Sequence, residues 1–471
     1  MSTISEFRVE DLRFPTSLDG DGTDAMNKEC DYSAAYVTLK TSDGLEANGM
    51  TFTIGRGNDL VCAAVEAVAA RLVGYSTTDL FTPAGMLTVW NFLLSDPQHR
   101  WLGPECGVIH IATGAVVNAV WELYAKKEKK PLWQLVADFT PDEFVAATSF
   151  RYITDAITPE QALELLRSRQ AGKSARLAKL KQRGYPAYTT SVGWFGYSDE
   201  KVARLTREAI AEGFNHFKVK VGADVEMDNR RLAIVRSIID DPKECEKRPQ
   251  PTPESLVGKN AGPTGSVLMI DANQVWDVPQ AIEYVKQLEQ HKPWFIEEPT
   301  APSDVLGHAT IRKALKPHGI GVATGEHAQN RMLFKQLLQA EAIDVCQIDS
   351  CRLAGINEIL AVLLMAARFN VPVCPHAGGV GLCEMVIHLS IIDYLCVSGS
   401  YDRNVLEYVD HLHQGVFVYP CSINEHGYYN VPLNENEGYS MAMHDETKAK
   451  FVFPHGTYWS SPEAKKAHGL S

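Results

Sequence analysis

The sequence of 471 residues has no long apolar run, no C-x-x-C pair of cysteines and no recognisable targeting signal. Its longest apolar run, ILAVLLMAA at 359–367, is far shorter than the ~18 residues that a membrane span needs. The ten cysteines form no C-x-x-C pair, which favours reduced thiols over a disulfide framework or a zinc site. The N-terminal MSTISEFRVEDLRF lacks both the apolar core of a secretion signal and the Arg-rich, acid-poor pattern of a transit peptide. We therefore expect a cytoplasmic protein with no membrane partner.

Basic residues are outnumbered by acidic ones. The 58 Asp and Glu against 45 Lys and Arg give a net charge of −13, and no basic tract offsets it, so we expect no nucleic-acid partner. The hydrophobic fraction of 45% and the charged fraction of 22% are typical of a soluble globular chain. Its length allows two domains, or one large barrel with an extra module. The oligomeric state is left open, a homo-oligomer included.

The first part of the chain mixes strand and helix patterns. Residues 34–44, AAYVTLKTSDG, alternate like an antiparallel strand that ends in a turn, whereas residues 59–74 and 112–128 have the apolar period of helices. These patterns predict an α+β capping domain over residues 1–145. After about residue 411 the chain loses the repeat that precedes it, and we expect residues 411–471 to complete the capping domain.

Residues 146–410 alternate short apolar segments with helical ones. This alternation indicates a parallel sheet covered on both faces, and eight units predict a (β/α)₈ barrel of the TIM type. A doubly wound open sheet is the alternative, but no G-x-G-x-x-G motif follows the first strand. Residues 241–265, rich in Pro, Gly and charge, predict a surface insertion for which disorder is an open alternative. The predicted strands lie at 187–191, 216–221, 266–273, 293–299, 321–327, 342–349, 371–378 and 404–410.

An ionisable side chain stands at the end of nearly every predicted barrel strand. In such barrels the active site lies at the C-terminal ends of the strands and takes residues from several of them. A single residue of this kind means little, because strands end where polarity begins. A succession of them after buried apolar runs favours a common site, formed by Lys220, Asp271, Glu297, Glu326, Asp349, His376 and Glu407.

Three of these residues are carboxylates on consecutive strands. Asp271, Glu297 and Glu326 would repel one another strongly without a cation. Hard oxygen ligands with no cysteine nearby point to Mg²⁺. The two glutamates of IEEP face opposite ways, so only one of them is a ligand. Asn273 shares a strand face with Asp271 and is expected near the metal and the substrate.

Two further pairs indicate acid–base chemistry. Asp349 and His376 come from neighbouring strands, and a carboxylate beside an imidazole fixes its tautomer and favours its charged form. Lys218 and Lys220 lie two residues apart, on one face of a strand. We expect Lys218 and the metal to lower the pKa of Lys220 from about 10.4 towards ~7–8, where a neutral amine is a general base.

The ordered motifs KVK, DANQ, IEEP, GE, QID, PHAGG and LEYVD resemble the mandelate racemase subgroup of the enolase superfamily. Stretches such as RFPTSLDGDGTDAMN, TFTIGRGND and PAYTTS are similar to L-fuconate dehydratases and the related fungal L-galactonate dehydratases. The resemblance covers nearly the whole chain. It implies a hydro-lyase that holds Mg²⁺ on the three carboxylates, with Lys220 as the base and Asp349–His376 as the dyad.

The same resemblance implies substrate contacts. Glu407 corresponds to the acidic residue that hydrogen-bonds the substrate carboxylate, and a raised pKa would let it donate that bond. Lys218 lies beside the base. Asp24 and Tyr32 lie in the capping loop and are expected to contact the distal hydroxyls of a small acid sugar, with Thr190 as a further candidate.

The implied reaction is a dehydration. Lys220 removes the C2 proton of a Mg²⁺-bound aldonate, His376 assists loss of the 3-hydroxyl, and the enol becomes a 2-keto-3-deoxy acid. The segments PHAGGVGLCE and IDSCRL favour L-fuconate as the substrate. The alternatives are L-galactonate, which differs by a 6-hydroxyl, and a racemase or epimerase with Lys220 and His376 as opposed bases. A non-enzymatic binding protein is disfavoured, because every predicted position keeps competent chemistry.

Overall fold

A computed structural model gives the fold of residues 2–469 except positions 402, 434 and 436. The N-terminal part begins with an antiparallel sheet of β1 (Ile4–Arg13), β2 (Ser33–Thr41) and β3 (Glu46–Thr53), with β2 in the centre. Helices follow the sheet, and this is the α+β content that the sequence predicts. They are α1 (Asn58–Ala69), α2 (Pro83–Leu94), α3 (Pro97–Leu102), α4 (Gly107–Lys127), α5 (Leu132–Ala137) and α6 (Pro141–Ala147).

Helix α4 forms the core of the N-terminal part. It packs on β2 and β3, and its residues from His110 to Ala125 are all buried. The approach is closest at Gly49, where an added side-chain carbon would lie 2.1 Å from the carbonyl oxygen of Ala115, so only glycine fits there. By length and composition α4 could cross a membrane, but 89% of its most apolar window is buried inside the protein. It is therefore the central helix of a folded core.

Parallel strands form the barrel that the sequence predicts. Neighbours pair in the order β10, β4, β5, β6, β7, β8, β9, and the pairing of β10 with β4 joins the last strand to the first. The strands are β4 (Tyr185–Thr189), β5 (His216–Lys220), β6 (Val267–Asp271), β7 (Phe295–Glu297), β8 (Gly321–Thr324), β9 (Val345–Cys346) and β10 (Leu406–Tyr408). The helices are α7 (Pro159–Gln170), α8 (Lys173–Arg183), α9 (Asp199–Ala211), α10 (Val225–Ile239), α11 (Pro253–Leu256), α12 (Val278–Lys286), α13 (Val305–Leu315), α14 (Arg331–Gln339), α15 (Ile356–Arg368) and α16 (Leu382–Ile392).

The seventh strand position, between β9 and β10, is irregular. The sequence predicts a strand at 371–378, but the structure has only a single parallel bridge, between Cys346 and Val373. Pro372 and Pro375 explain the difference, because proline has no amide hydrogen to donate to a neighbouring strand. The amides of Cys374 and His376 still donate hydrogen bonds to the β9 side, at 2.9 Å each. The segment is thus held in line with the barrel.

The insertion at 241–265 packs at the opposite end of the barrel from the strand C-termini. The buried guanidinium of Arg248 donates to Oγ of Ser266 at 2.8 Å. The buried Nζ of Lys259 lies 3.2 Å from Nε2 of His216, at the start of β5, and 4.7 Å from the ring centre of Trp294. The insertion therefore leaves the predicted site undisturbed.

After β10 the chain returns to the N-terminal part. Strand β11 (Tyr428–Tyr429) pairs antiparallel with β4, and α17 (Asp445–Phe451) and α18 (Pro462–Ala467) follow. The hydroxyl of Tyr36 on β2 donates to the carbonyl of Met441 at 2.9 Å and accepts from the amide of Met443 at 3.2 Å. The indole of Trp459 donates to the carbonyl of Arg13 at 3.1 Å. The division into domains at residues 145 and 411 stays a prediction.

Candidate active site

A cavity of about 370 Å³ lies at the C-terminal ends of the barrel strands, beneath the N-terminal part. It is lined by most of the side chains that the sequence singles out: Asp24, Tyr32, Thr190, Lys220, Asn273, Glu326, Asp349, His376 and Glu407. The remaining three, Lys218, Asp271 and Glu297, are buried against these lining residues. The structure thus brings the whole predicted set together.

The three predicted metal ligands converge because of strand register. Lys220 pairs with Asp271 and Asp271 with Glu297, so the ends of β5, β6 and β7 lie at one level. Glu326 follows β8 by two residues. One oxygen from each of Asp271, Glu297 and Glu326 lies within 4.8 Å of the others. A metal ion would fit between such atoms.

The donor set suits a hard cation. All three ligands are carboxylates, and Oδ1 of Asn273 is buried beside them without a hydrogen-bond partner among the described residues. A second trio, in which Glu298 and His327 join Glu326, is equally compact. Burial and the charge of Glu326 raise the pKa of Glu298 well above its usual value, and Gln274 donates to both of its oxygens. The second trio includes a histidine nitrogen, whereas the first offers only oxygens, so we assign the first trio to a hard cation.

The two lysines offset part of the negative charge of the carboxylates. Nζ of Lys218 lies 2.9 Å from both oxygens of Glu297 and 2.8 Å from Oε1 of Glu407, and Nζ of Lys220 lies 2.5 Å from Oδ2 of Asp271. Burial lowers the pKa of Lys220, but the attraction of Asp271 outweighs it and the net shift is upward. The predicted lowering, which relies on Lys218 and the metal together, therefore stays a prediction. A cation bound to Asp271 would weaken the attraction between that carboxylate and Lys220. The repulsion from Lys218, which lowers the pKa of Lys220, would remain.

The dyad is formed. Nδ1 of His376 lies 2.7 Å from Oδ2 of Asp349, while the other oxygen of Asp349 accepts the amides of Cys351 and Arg352 at 2.6 and 2.7 Å. Burial lowers the pKa of His376, but Glu326 and the hydrogen bond with Asp349 outweigh it and raise the pKa to about 10. The ring is thus oriented and charged, as a general acid requires.

Glu407 differs from its predicted form. Burial raises its pKa, but Lys218 and His376 outweigh burial, so that the pKa of Glu407 is lowered. Its Oε2 accepts the amide of Ala377 at 2.7 Å. The condition for Glu407 to donate a hydrogen bond, a raised pKa, is therefore not met in this arrangement of charges. It anchors Lys218 and the loop that follows His376.

The residues from the capping loop shape the cavity wall. Asp24 accepts the amides of Met26 and Asn27 at 2.7 and 2.6 Å, so it folds its own loop as well as facing the cavity. The ring of Tyr32 is stacked on His411 with centres 5.7 Å apart. The amide of Thr190 donates to the carbonyl of Tyr408 at 3.4 Å. Their contacts with substrate stay predictions.

Sequence reasoning missed one buried partner of the metal trio. Nε2 of Gln347 donates to Oε2 of Glu297 at 2.7 Å. The signal was present, because Gln347 stands two residues before Asp349 in QID and so shares its strand face. Arg56, Arg352 and His327 also line the cavity without having been predicted.

Comparisons with known proteins agree with this geometry. Residues 255–447 match the family described as enolase C-terminal domain-like. The chain is 54% identical to an L-galactonate dehydratase of Hypocrea jecorina over 98% of this chain and 97% of that protein. The crystal structure of human mitochondrial enolase superfamily member 1 superposes with a TM-score of 0.89 at 49% identity, covering 99% of this chain and 98% of that one.

A more distant structure shares the fold. L-talarate/galactarate dehydratase from Salmonella typhimurium LT2, liganded with Mg and L-lyxarohydroxamate, superposes with a TM-score of 0.68 at 20% identity, covering 95% of this chain and 92% of that one. The chain therefore belongs to the enolase superfamily. Within it the chain is an enzyme of the hydro-lyase class, whose members break a carbon–oxygen bond with loss of water.

Proposed function

We propose that this acid-sugar dehydratase converts L-galactonate to its 2-keto-3-deoxy acid, with Mg²⁺ as the cofactor. The observation that carries the proposal is the placement of Lys220 and His376 on one cavity, next to three converging carboxylates. The Hypocrea jecorina relative is an L-galactonate dehydratase by name and is 54% identical. It supports L-galactonate better than L-fuconate, which the sequence motifs favour.

The cavity wall also supports a fully hydroxylated substrate. L-galactonate carries a 6-hydroxyl that L-fuconate lacks. Asp24, Asn27 and Arg56 line the N-terminal side of the cavity and offer both donors and acceptors. A site that hydrogen-bonds a hydroxyl rejects the analogue without it, because its polar groups are then left unpaired.

Asp271, Glu297 and Glu326 would hold the metal ion. When bound, Mg²⁺ supplies a Lewis acid that stabilises the negative charge developing on the substrate carboxylate. The Mg in the crystal structure of L-talarate/galactarate dehydratase supports the same choice of ion.

The protein's own side chains move the protons. Lys220, as the neutral amine, accepts the proton from C2. The electron pair of the broken C2–H bond first delocalises into the substrate carboxylate as an enediolate, and then forms the C2–C3 double bond as the C3–O bond breaks. His376, held by Asp349, gives its Nε2 proton to the departing 3-hydroxyl, which leaves as water. The enol then takes up a proton at C3 and loses the proton of its 2-hydroxyl to become the keto acid.

A substrate panel tests the proposal. The purified chain is incubated with Mg²⁺ and L-galactonate, L-fuconate or the C2 epimer L-talonate, and 2-keto-3-deoxy acid is measured. We expect the highest kcat/KM with L-galactonate and no turnover in excess chelator. A higher kcat/KM with L-fuconate would overturn L-galactonate as the preferred substrate, while the assignment as an acid-sugar dehydratase would stand. Release of a C2 epimer without keto acid would establish the racemase alternative, which the name of the Hypocrea jecorina relative disfavours.

A further inference from the structure

Two cysteines, a histidine and a glutamate meet outside the active-site cavity. Cys383 and Glu384 lie in the first turn of α16, and His413 and Cys421 lie in the segment after β10. The two sulfurs and one ring nitrogen of His413 all lie within 4.8 Å of one another. Cys383 and His413 are buried, and Cys421 is partly exposed. We call this set the Cys383 cluster.

The histidine of the Cys383 cluster is oriented as a metal ligand is. Nδ1 of His413 faces the cluster, 3.4 Å from Sγ of Cys421 and 2.7 Å from Oε1 of Glu384. Its other nitrogen, Nε2, lies 2.5 Å from the carbonyl oxygen of Val409. Metal-binding histidines almost always donate their second ring N–H to a carbonyl or carboxylate, which fixes the tautomer. The contact with Val409 thus places the proton of the neutral ring on Nε2, and a cation among the sulfurs would replace the contact of Nδ1 with Glu384.

The glutamate supplies an independent indication. Oε1 of Glu384 accepts the amide of Cys421 at 3.2 Å. Oε2 of Glu384 is buried and has no hydrogen-bond partner in the part of the chain that the structure describes. A buried carboxylate oxygen without a donor is costly. A cation beside it would remove that cost.

We propose that Cys383, His413 and Cys421 bind a structural Zn²⁺ ion, with the fourth position left to water or to Glu384, which contacts His413 and the amide of Cys421. Zinc takes four ligands in a tetrahedron and accepts sulfur, nitrogen and oxygen donors. Thiolate ligands favour Zn²⁺ over Mg²⁺, whereas the all-oxygen trio of the active site favours Mg²⁺. Binding releases the thiol protons to solvent, so zinc affinity rises with pH. The two sites then bind different metals, because the zinc site offers sulfur and nitrogen ligands and the active site offers only oxygen.

The zinc site braces the loops that carry catalytic groups. Sγ of Cys383 lies 3.6 Å from the carbonyl oxygen of Ala377, directly after His376, and 4.0 Å from that of Glu407. An ion there ties the start of α16 to the segment after β10. A surface cavity of about 570 Å³, which His413 and Cys421 help to line, gives the ion a route from solvent.

The test uses cobalt as a spectroscopic probe. The full chain is reduced, stripped of metal and titrated with Co²⁺ in excess Mg²⁺. We expect one equivalent of Co²⁺ to give a thiolate-to-cobalt charge-transfer band in the near ultraviolet, which an all-oxygen site cannot produce. Zn²⁺ should abolish the band by displacement, and elemental analysis should find one zinc per chain. Cys421→Ser should lose both signals. Cys62→Ser, a control at another partly exposed cysteine, should keep them.

Three results would overturn the proposal. Absence of the band in the reduced wild-type chain overturns the proposal, as does a band of undiminished intensity in Cys421→Ser. A Cys383–Cys421 disulfide that forms in the purified chain, with no cobalt uptake after its reduction, overturns it as well. If Cys421→Ser does not fold, Cys421→His takes its place. That variant should still bind one zinc, while its cobalt charge-transfer band should fall to about half, since one thiolate remains.

Discussion

Two buried clusters of charged side chains in this protein differ in their balance of positive and negative charge. In the first, Nη1 of Arg331 lies 2.7 Å from Glu105 and 2.8 Å from Oε1 of Glu358. Nε2 of His110 lies 2.9 Å from the other oxygen of Glu358, which also accepts the amide of Ala354 at 2.9 Å. Every oxygen of Glu358 is matched by donors. This cluster joins α4 to α14 and α15.

The second cluster is the active site, and it carries excess negative charge. Two lysines and one histidine face five carboxylates: Asp271, Glu297, Glu326, Asp349 and Glu407. Burial and the charge of Asp271 raise the pKa of Glu297 to about 8. Burial also acts to raise the pKa of Glu358, but His110 and Arg331 outweigh it and hold that pKa at about 2.

The difference separates structural charge from functional charge. Glu297 and Glu358 are the same residue type and both are fully buried, yet their pKa values move in opposite directions. A balanced cluster stabilises the fold by itself. An unbalanced one is stable only with a ligand of the missing sign, which marks it as a binding site.

Glu297→Gln should have the largest effect on turnover. It removes one metal ligand, and a lost Lewis acid contributes several kcal/mol, so at 1.36 kcal/mol per tenfold we expect about a 10⁴-fold loss of kcat. The metal-free chain should be no less stable, because burial already disfavours the charge. Keto-acid assays and urea unfolding without Mg²⁺ measure both. Unchanged turnover would remove Glu297 from the ligand set.

Lys220→Ala and His376→Asn come next and divide the active-site cluster by role. Each should lose about 10³-fold in dehydration, within the ~10²–10⁴-fold typical of positioned acid–base groups. Lys220→Ala should also lose exchange of the C2 hydrogen with D₂O, whereas His376→Asn should retain it. Proton NMR of L-galactonate in D₂O measures the exchange. The reverse pattern would exchange the two roles.

Arg331→Met should damage the balanced cluster in the opposite manner. Removing one partner of a buried pair leaves uncompensated carboxylates, so we expect a loss of ~3–5 kcal/mol in the free energy of unfolding. Turnover per folded molecule should stay the same. Arg204→Met, at an exposed pair with Glu208, is the control and should cost ~0.5 kcal/mol or less. A fall in kcat with normal stability would contradict the structural role.

The smallest expected effect is the acid dependence of stability. The pKa of Glu358 is lowered on folding, so its contribution is fully present above its usual value of 4.5 and is lost as pH falls towards about 2. A shift of this size corresponds to ~3 kcal/mol at 1.36 kcal/mol per pKa unit. Urea unfolding between pH 5 and 3 should show the gap between wild type and Glu358→Gln closing as pH falls. A constant gap would mean that Glu358 titrates normally.

Local periodicity made the barrel and most of its site predictable. Strand patterns place Lys220, Asp271 and Glu297 at strand ends, and the parallel register then brings those ends to one level. Charge states were not predictable in this way. The pKa of Lys220 depends on a carboxylate 2.5 Å away on another strand, a distance that no sequence spacing encodes. Cytoplasmic location and the lack of nucleic-acid and membrane partners stay predictions.

Clusters built from distant segments were also out of reach. The cysteine spacing argues against a zinc site because no C-x-x-C pair is present, yet Cys383 and Cys421 are brought together by the return of the chain after β10. Arg331 likewise finds Glu105 across 226 residues. Such partners follow from packing between elements, and a single sequence carries no pattern for them.

The contact between Tyr36 and Met441 has a consequence for how the protein is made. The two residues are 405 positions apart, so the central strand β2 leaves the ribosome long before the segment that covers it. At ~5–20 residues per second, the delay is roughly 20–80 s. The barrel strands are all synthesised within that interval. We therefore expect the first part of the nascent chain to complete its fold last. Until then, we expect chaperones to bind its exposed apolar surface.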